Sequence, residues 1–180
     1  MANLAFAEEQ HTPSESTKDL KKILIIDDDE GIHDITNIAL DSMNFTDFDL
    51  EIISAYSSEE AKEILNKHDD IALALIDVVM ETPEAGLDLV DYIRKELKND
   101  FIRLIIRTGQ ANDFPPMHVI QHYDINDFKE KTELTRERLY TTIRTSIKQY
   151  GQLIELQNKY EETYRQMTTD SLTSLPNRIK

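Results

Sequence analysis

The chain of 180 residues contains no cysteine. Disulfides, thiolate nucleophiles and cysteine-ligated zinc are thereby excluded, and the composition fits a reducing cytoplasm, where the chain is expected to reside. Positive charge is scarce: 20 Lys and Arg stand against 35 Asp and Glu, a formal net charge of −15. No basic stripe is long enough to neutralise several phosphates, which argues against nucleic-acid contact. Nor does any segment approach about 20 consecutive apolar residues, so no part is expected to span a membrane. A secretory leader is not expected either, because Glu8 and Glu9 stand where Lys or Arg would and the apolar run at 4–7 is short.

What is present is ordinary for a folded domain: 39% apolar and 31% charged residues. Residues 1–20 are polar, carry Pro13 and lack periodicity, and read as a flexible leader. Beyond them two patterns alternate. Apolar runs at 22–26, 50–54, 71–76 and 103–106, with a weaker one at 125–128, read as strands. Helical spacing recurs at 32–43, 58–66, 87–97 and 116–122 and again from about 134, with Ser57 or Ser58 capping the second helix. The run at 71–76 is wholly apolar, as a central strand buried on both faces would be. Five strands alternating with five helices predict an α/β fold with a parallel, doubly wound sheet, in which ligands sit outside the carboxyl ends of the strands.

The chemistry-bearing residues fall at that rim. Asp27 and Asp28 end the first strand, Asp77 the third, Thr108 follows the fourth and Lys131 the fifth. Clustered carboxylates are costly unless a cation offsets them, and Mg²⁺ is the natural oxygen-seeking choice. Asp77, alone on the central strand, is the best nucleophile toward a phosphoryl group; Asp27 and Asp28 would hold the metal directly or through water. Lys131 would pair with Asp77 or the phosphoryl group, and the Thr108 hydroxyl would donate to a phosphoryl oxygen.

The stretches ILIIDDDEGIHDI, LALIDVVM, LIIRTGQ and DFKEKTEL resemble the four signature regions of response-regulator receiver domains, in order, over residues 21–150. The resemblance implies the flavodoxin-like receiver fold, with Asp77 phosphorylated by a sensor histidine kinase. It implies Mg²⁺ ligated by Asp28, Asp77 and the Val79 carbonyl with Asp27 in support, Thr108 as switch hydroxyl, Phe128 as switch aromatic and Lys131 as the family's lysine. Two departures are visible: Glu81 stands where proline often follows Met80, and Thr132 where proline often follows the lysine. Lys129 is a rival for the lysine role.

From Leu139 the apolar positions Ile143, Ile147, Tyr150, Leu153, Leu156, Tyr160, Thr163 and Met167 continue at spacings of three and four. They predict an extended C-terminal helix whose part at 151–169 serves as a linker with a seam suited to a two-stranded coiled coil and a homodimer. The final DSLTSLPNR, within 170–180, resembles the opening signature of GGDEF domains, the diguanylate cyclase family. That resemblance implies a chain in which the receiver controls a cyclic di-GMP output, the receiver itself being a phosphoacceptor rather than an enzyme.

Two other function classes fit parts of the same residues. Asp27, Asp29, Thr108 and Lys131 also follow the order used by haloacid-dehalogenase-like phosphatases, although that reading leaves Asp77 without a role. A receiver-like module that is never phosphorylated and only dimerises the chain is the second, although no acidic or lysine position is lost. His118 and His122 are four apart, but nothing acidic completes a metal site with them.

Overall fold

The computed structural model describes residues 18–109, 115–133 and 135–168. Strands β1 (Asp19–Ile26), β2 (Phe48–Ala55), β3 (Ile71–Asp77), β4 (Arg103–Thr108) and β5 (Asp127–Glu130) form one sheet in the order β2-β1-β3-β4-β5. Every pairing is parallel. Between them lie α1 (Glu30–Asp41), α2 (Ser58–Lys67), α3 (Ala85–Asp91), extended by a π-helical turn at Tyr92–Glu96, and α4 (Pro116–His122). After a 3₁₀ turn at Lys131–Glu133, α5 (Arg136–Thr168) runs for 33 residues. This is the five-stranded, doubly wound receiver fold with an extended C-terminal helix.

Strand alternation divides the core in two. Ile23, Ile25, Leu73, Leu75 and Ile105 pack with Leu40, Leu139, Ile143 and Ile147, on the face covered by α1 and α5. Leu24, Ile26, Ala74, Ile76, Leu104, Ile106 and Phe128 pack with Ala61, Leu65, Leu89, Val90 and Val119, on the face covered by α2, α3 and α4. Every residue of β3 is buried because the strand is central and covered on both sides.

The first strand corrects one expectation. Asp19 and Leu20 belong to β1, paired with Phe48 and Asp49, and not to a leader ending at residue 20. Their side chains are exposed, so no apolar alternation announces them; backbone pairing with β2 decides. Likewise β5 lies two residues later than its apolar content suggests, with Ile125 instead packed against the core from the preceding loop. The rest of the stretch read as a leader, residues 1–17, and the GGDEF-like segment at 170–180 lie outside the described residues.

Candidate functional site

Register brings the site together. Ile26 of β1 pairs with Ile76 of β3, so the next residues, Asp27 and Asp77, reach the rim at one level. Asp77 pairs with Arg107, and Thr108 pairs with Glu130, which directly precedes Lys131. Alternation then sorts the side chains. Asp27, Asp77 and Arg107 are two residues beyond Ile25, Leu75 and Ile105 and share the α1/α5 face. Thr108 is two beyond Ile106 and shares the opposite face with Phe128. Asp27, Asp77 and Arg107 therefore sit on one face, and Thr108 with Phe128 on the other.

Each of Asp27, Asp28 and Asp77 offers a carboxylate oxygen within 4.8 Å of those of the other two. Three hard oxygen donors at that spacing suit Mg²⁺, and the buried Asp27 Oδ2 already faces the cations Lys131 and Arg107, so the residues present fit such an ion. Val79 lies half-buried on the loop that leaves β3. Asp27 and Asp77 are buried whereas Asp28 is exposed. The third aspartate has a different duty: Asp29 is the N-cap of α1, its Oδ1 accepting from the Gly31 N–H at 2.8 Å. That use of Asp29 takes away the second acid of the phosphatase-like D-x-D pattern.

Lys131 Nζ donates to Asp77 Oδ2 at 2.7 Å and lies 2.9 Å from Asp27 Oδ2. Burial alone would lower the pKa of this ammonium, but its contacts with Asp77 and Asp27 outweigh that and raise it. Lys129, the rival lysine, pairs instead with Asp127 at 3.0 Å. Burial pushes the Asp77 carboxyl above its ordinary value, and Lys131 only partly counters the effect. Thr108 is 1% exposed at the end of β4, and Phe128 is buried against Ile106 and Val119.

Sequence reasoning missed Arg107. This residue is 3% exposed. Its Nη1 donates to Thr36 Oγ1 at 3.2 Å, and its Nη2 stands 3.6 Å from Asp27 Oδ2. The signal was available: a basic residue in the apolar run LIIRT, next to Thr108, on a strand expected to be buried. His33 was missed as well. It is 1% exposed, and its Nε2–H donates to the Asp27 carbonyl at 2.9 Å, which leaves Nδ1 to meet Ser54 Oγ at 3.1 Å. His33 thus fixes the backbone of the acidic loop. Glu81 closes the other side: its carboxylate accepts from the Ser58 N–H at 3.1 Å and from the Ser58 hydroxyl, tying the loop after Asp77 to the start of α2.

His118 and His122 stack with centroids 4.1 Å apart on the exposed surface of α4, and the His122 Nδ1–H donates to the His118 carbonyl. Among the described residues no helix is long and apolar enough to cross a membrane.

No family model matches the chain. The 3'3'-cGAMP-specific phosphodiesterase 2 of Vibrio cholerae serotype O1 is 48% identical over 137 residues, covering 76% of this chain and 26% of that protein. The chain therefore spans about a quarter of the length of this relative. A response regulator receiver domain protein from Clostridium thermocellum superposes with a TM-score of 0.60 at 23% identity, covering 74% of this chain and 98% of that one. The N-terminal domain of a response regulator/sensory box/GGDEF 3-domain protein from Carboxydothermus hydrogenoformans gives a TM-score of 0.59 at 19% identity, covering 74% and 99%.

Proposed function

We propose that the chain accepts a phosphoryl group on Asp77 from a sensor histidine kinase and transmits the change through Thr108 and Phe128 to α5. The observation that carries this reading is the meeting of Asp27, Asp28, Asp77 and Lys131 at one rim of a receiver fold. A bond forms between an Asp77 carboxylate oxygen and phosphorus as the P–N bond of a phosphohistidine breaks, and the freed imidazole takes up a proton. Mg²⁺ held by Asp28, Asp77 and the Val79 carbonyl, with Asp27 in support, would supply charge neutralisation at the transferring oxygens.

The chain's own residues do the rest. Desolvation makes the Asp77 carboxylate a stronger base and so a better nucleophile than an exposed one. Lys131 holds one of its oxygens and provides a cation for the incoming phosphoryl group. Thr108, at the end of β4, is the hydroxyl that the new phosphoryl oxygens would recruit, and Phe128 on the same face would follow it. The domain acts in this scheme as a substrate of its kinase rather than as an enzyme.

Beyond the domain, α5 carries the signal. Its buried positions end at Tyr150, and Leu156, Tyr160, Tyr164 and Met167 are exposed along the remainder. This apolar stripe supports a homodimer, and the GGDEF-like residues that follow support an output in cyclic-dinucleotide signalling in the cytoplasm. The Vibrio cholerae relative is named for a cyclic dinucleotide too, which favours the same signalling class.

Intact-mass measurement after incubation with acetyl phosphate tests the reading, with and without Mg²⁺, on the wild type and Asp77→Asn. One added phosphoryl mass that requires both Mg²⁺ and Asp77 is expected. No adduct under conditions that label a control receiver would leave the unphosphorylated dimerisation module as the better reading.

A further inference from the structure

Arg107 has no role in the scheme above, yet its placement is costly. It occupies a β4 position between two core layers, where the preceding residue on its face is Ile105. Among the described residues its Nε and Nη2 have no hydrogen-bond partner. Only Nη1 is satisfied, by Thr36 Oγ1, whose own hydrogen goes to the Ile32 carbonyl at 2.6 Å. Burying a guanidinium so incompletely bonded destabilises a fold relative to an apolar side chain of similar size. What offsets the cost is the neighbouring charge: Asp27 Oδ2 at 3.6 Å, with Asp77 across the strand pairing. Burial lowers the pKa of this group and the two carboxylates offset that only in part, yet a guanidinium remains charged throughout.

Charge counting shows what such a cation does. Asp27, Asp28 and Asp77 against Lys131 and Arg107 leave the site at −1. A divalent ion takes it to +1, which attracts an anionic phosphoryl group, and an aspartyl phosphate of about −2 in place of the carboxylate returns it to about zero. Without Arg107 each of these states is one unit more negative: the empty cluster binds a divalent ion more strongly, and the phosphorylated cluster is left with uncompensated charge.

We propose that Arg107 is a built-in counter-cation of the acidic cluster, which weakens Mg²⁺ binding and strengthens binding of the phosphoryl group. The inference rests on the phosphoacceptor reading. Arg107 acts through Asp27 and is a positioning residue rather than a catalytic one, and its effect has opposite signs on the two ligands. A side chain that merely supported packing would change stability and leave both affinities alone, or would weaken both together.

The test measures two affinities of the full chain by isothermal titration calorimetry: Mg²⁺ alone, then beryllofluoride, as the phosphoryl stand-in, at saturating Mg²⁺. For Arg107→Met, Mg²⁺ is expected to bind about tenfold tighter and beryllofluoride about tenfold weaker, the size of one unit charge acting from several ångströms away at a site open to solvent on one side. Arg107→Gln gives a second neutral side chain should the methionine disturb packing, and its shifts should have the same signs. Arg107→Lys restores the charge and should bring both affinities back toward wild type. Neutral variants that move neither affinity, or move both in the same direction, overturn the proposal. A wild type that binds neither ligand overturns the phosphoacceptor reading and this one with it, so the two failures are told apart by the wild-type titration.

Discussion

Gly86, the second residue of α3, lies so close to Asp77 that a Cβ built on it would stand 1.9 Å from the Asp77 carbonyl oxygen and 2.8 Å from its carbonyl carbon. The Gly86 N–H donates to the Val78 carbonyl at 3.0 Å, so the start of α3 is strapped to the loop that leaves β3. Because the obstruction is backbone, it cannot rotate away. Gly86→Ala is therefore expected to destabilise the fold by about 2 kcal/mol or more, the cost of forcing an extra carbon into a packed site. Urea denaturation measures that loss. Mg²⁺ affinity should fall as well, since the displaced segment carries Asp77 and Val79.

Asp77→Asn should stabilise the metal-free protein at neutral pH. Burial raises the folded-state pKa of Asp77 above its ordinary 3.8. Between the unfolded and folded values the native chain binds more protons than the unfolded chain, so stability falls as pH rises through that interval. Above it the ionised carboxylate leaves its whole cost in place. Thermal melts without Mg²⁺ should give Asp77→Asn a higher Tm at pH 7 than wild type, and the difference should shrink as pH falls below the ordinary carboxylate range. Equal melting temperatures at pH 7 would show that Lys131 already cancels the burial cost.

Lys131→Met should slow phosphoryl uptake from acetyl phosphate by about a hundredfold, the scale of losing one charged donor at a transferring group. Lys129→Met should leave the rate unchanged, because Lys129 is engaged with Asp127 and not with the acids. Time courses by intact mass compare them directly. The Lys131 ammonium also has a stability signature. Its pKa is raised from 10.5 by the carboxylates, so the stabilisation it gives is fully present below that value and is lost as pH rises through the folded one. Wild type should accordingly lose more stability than Lys131→Met above pH 10.5.

How much of this was legible follows from the kind of signal each part leaves. The central strand announced itself because burial on both faces makes all of Ile71–Ile76 apolar, and Asp77 stood out against it. The parallel order placed Asp27, Asp77, Thr108 and Lys131 at one rim with no need of contacts. Lys131 is favoured over Lys129 in the sequence because Phe128 stands three residues before it, and the contacts of Lys131 with Asp77 and of Lys129 with Asp127 agree. Asp29 entered the sequence reading through the phosphatase-like D-x-D pattern, and the Gly31 N–H claims it for the cap. Glu81 read as a departure from a pattern; its partner Ser58 is 23 residues earlier, a contact that only tertiary structure creates. Arg107 was hidden by the habit of reading a short apolar run as uniformly core, although its charge was the clue.

The overhang of α5 yields the last prediction. Ile154 packs against the buried core, and the helix continues to Thr168, about 20 Å farther. An isolated helical segment of that length is marginal in water. Pairs such as Lys159 with Glu155 at 2.6 Å and Gln157 with Glu161 at 2.9 Å add only about 0.2–0.5 kcal/mol each. Leu156, Tyr160 and Met167 meanwhile lie 65%, 65% and 72% exposed along one stripe, with Tyr164 beside it stacked on Tyr160. A second copy of the same helix would bury that stripe against itself at the spacing a two-stranded seam requires. Sedimentation velocity on the full chain should show a concentration-dependent dimer, and Leu156→Glu combined with Tyr160→Glu should leave a monomer with a folded receiver domain, since both side chains are largely exposed and neither belongs to its buried core. The double variant should still take up phosphate, which separates assembly from phosphoacceptance; a wild type that stays monomeric at every concentration would assign the stripe to some other partner.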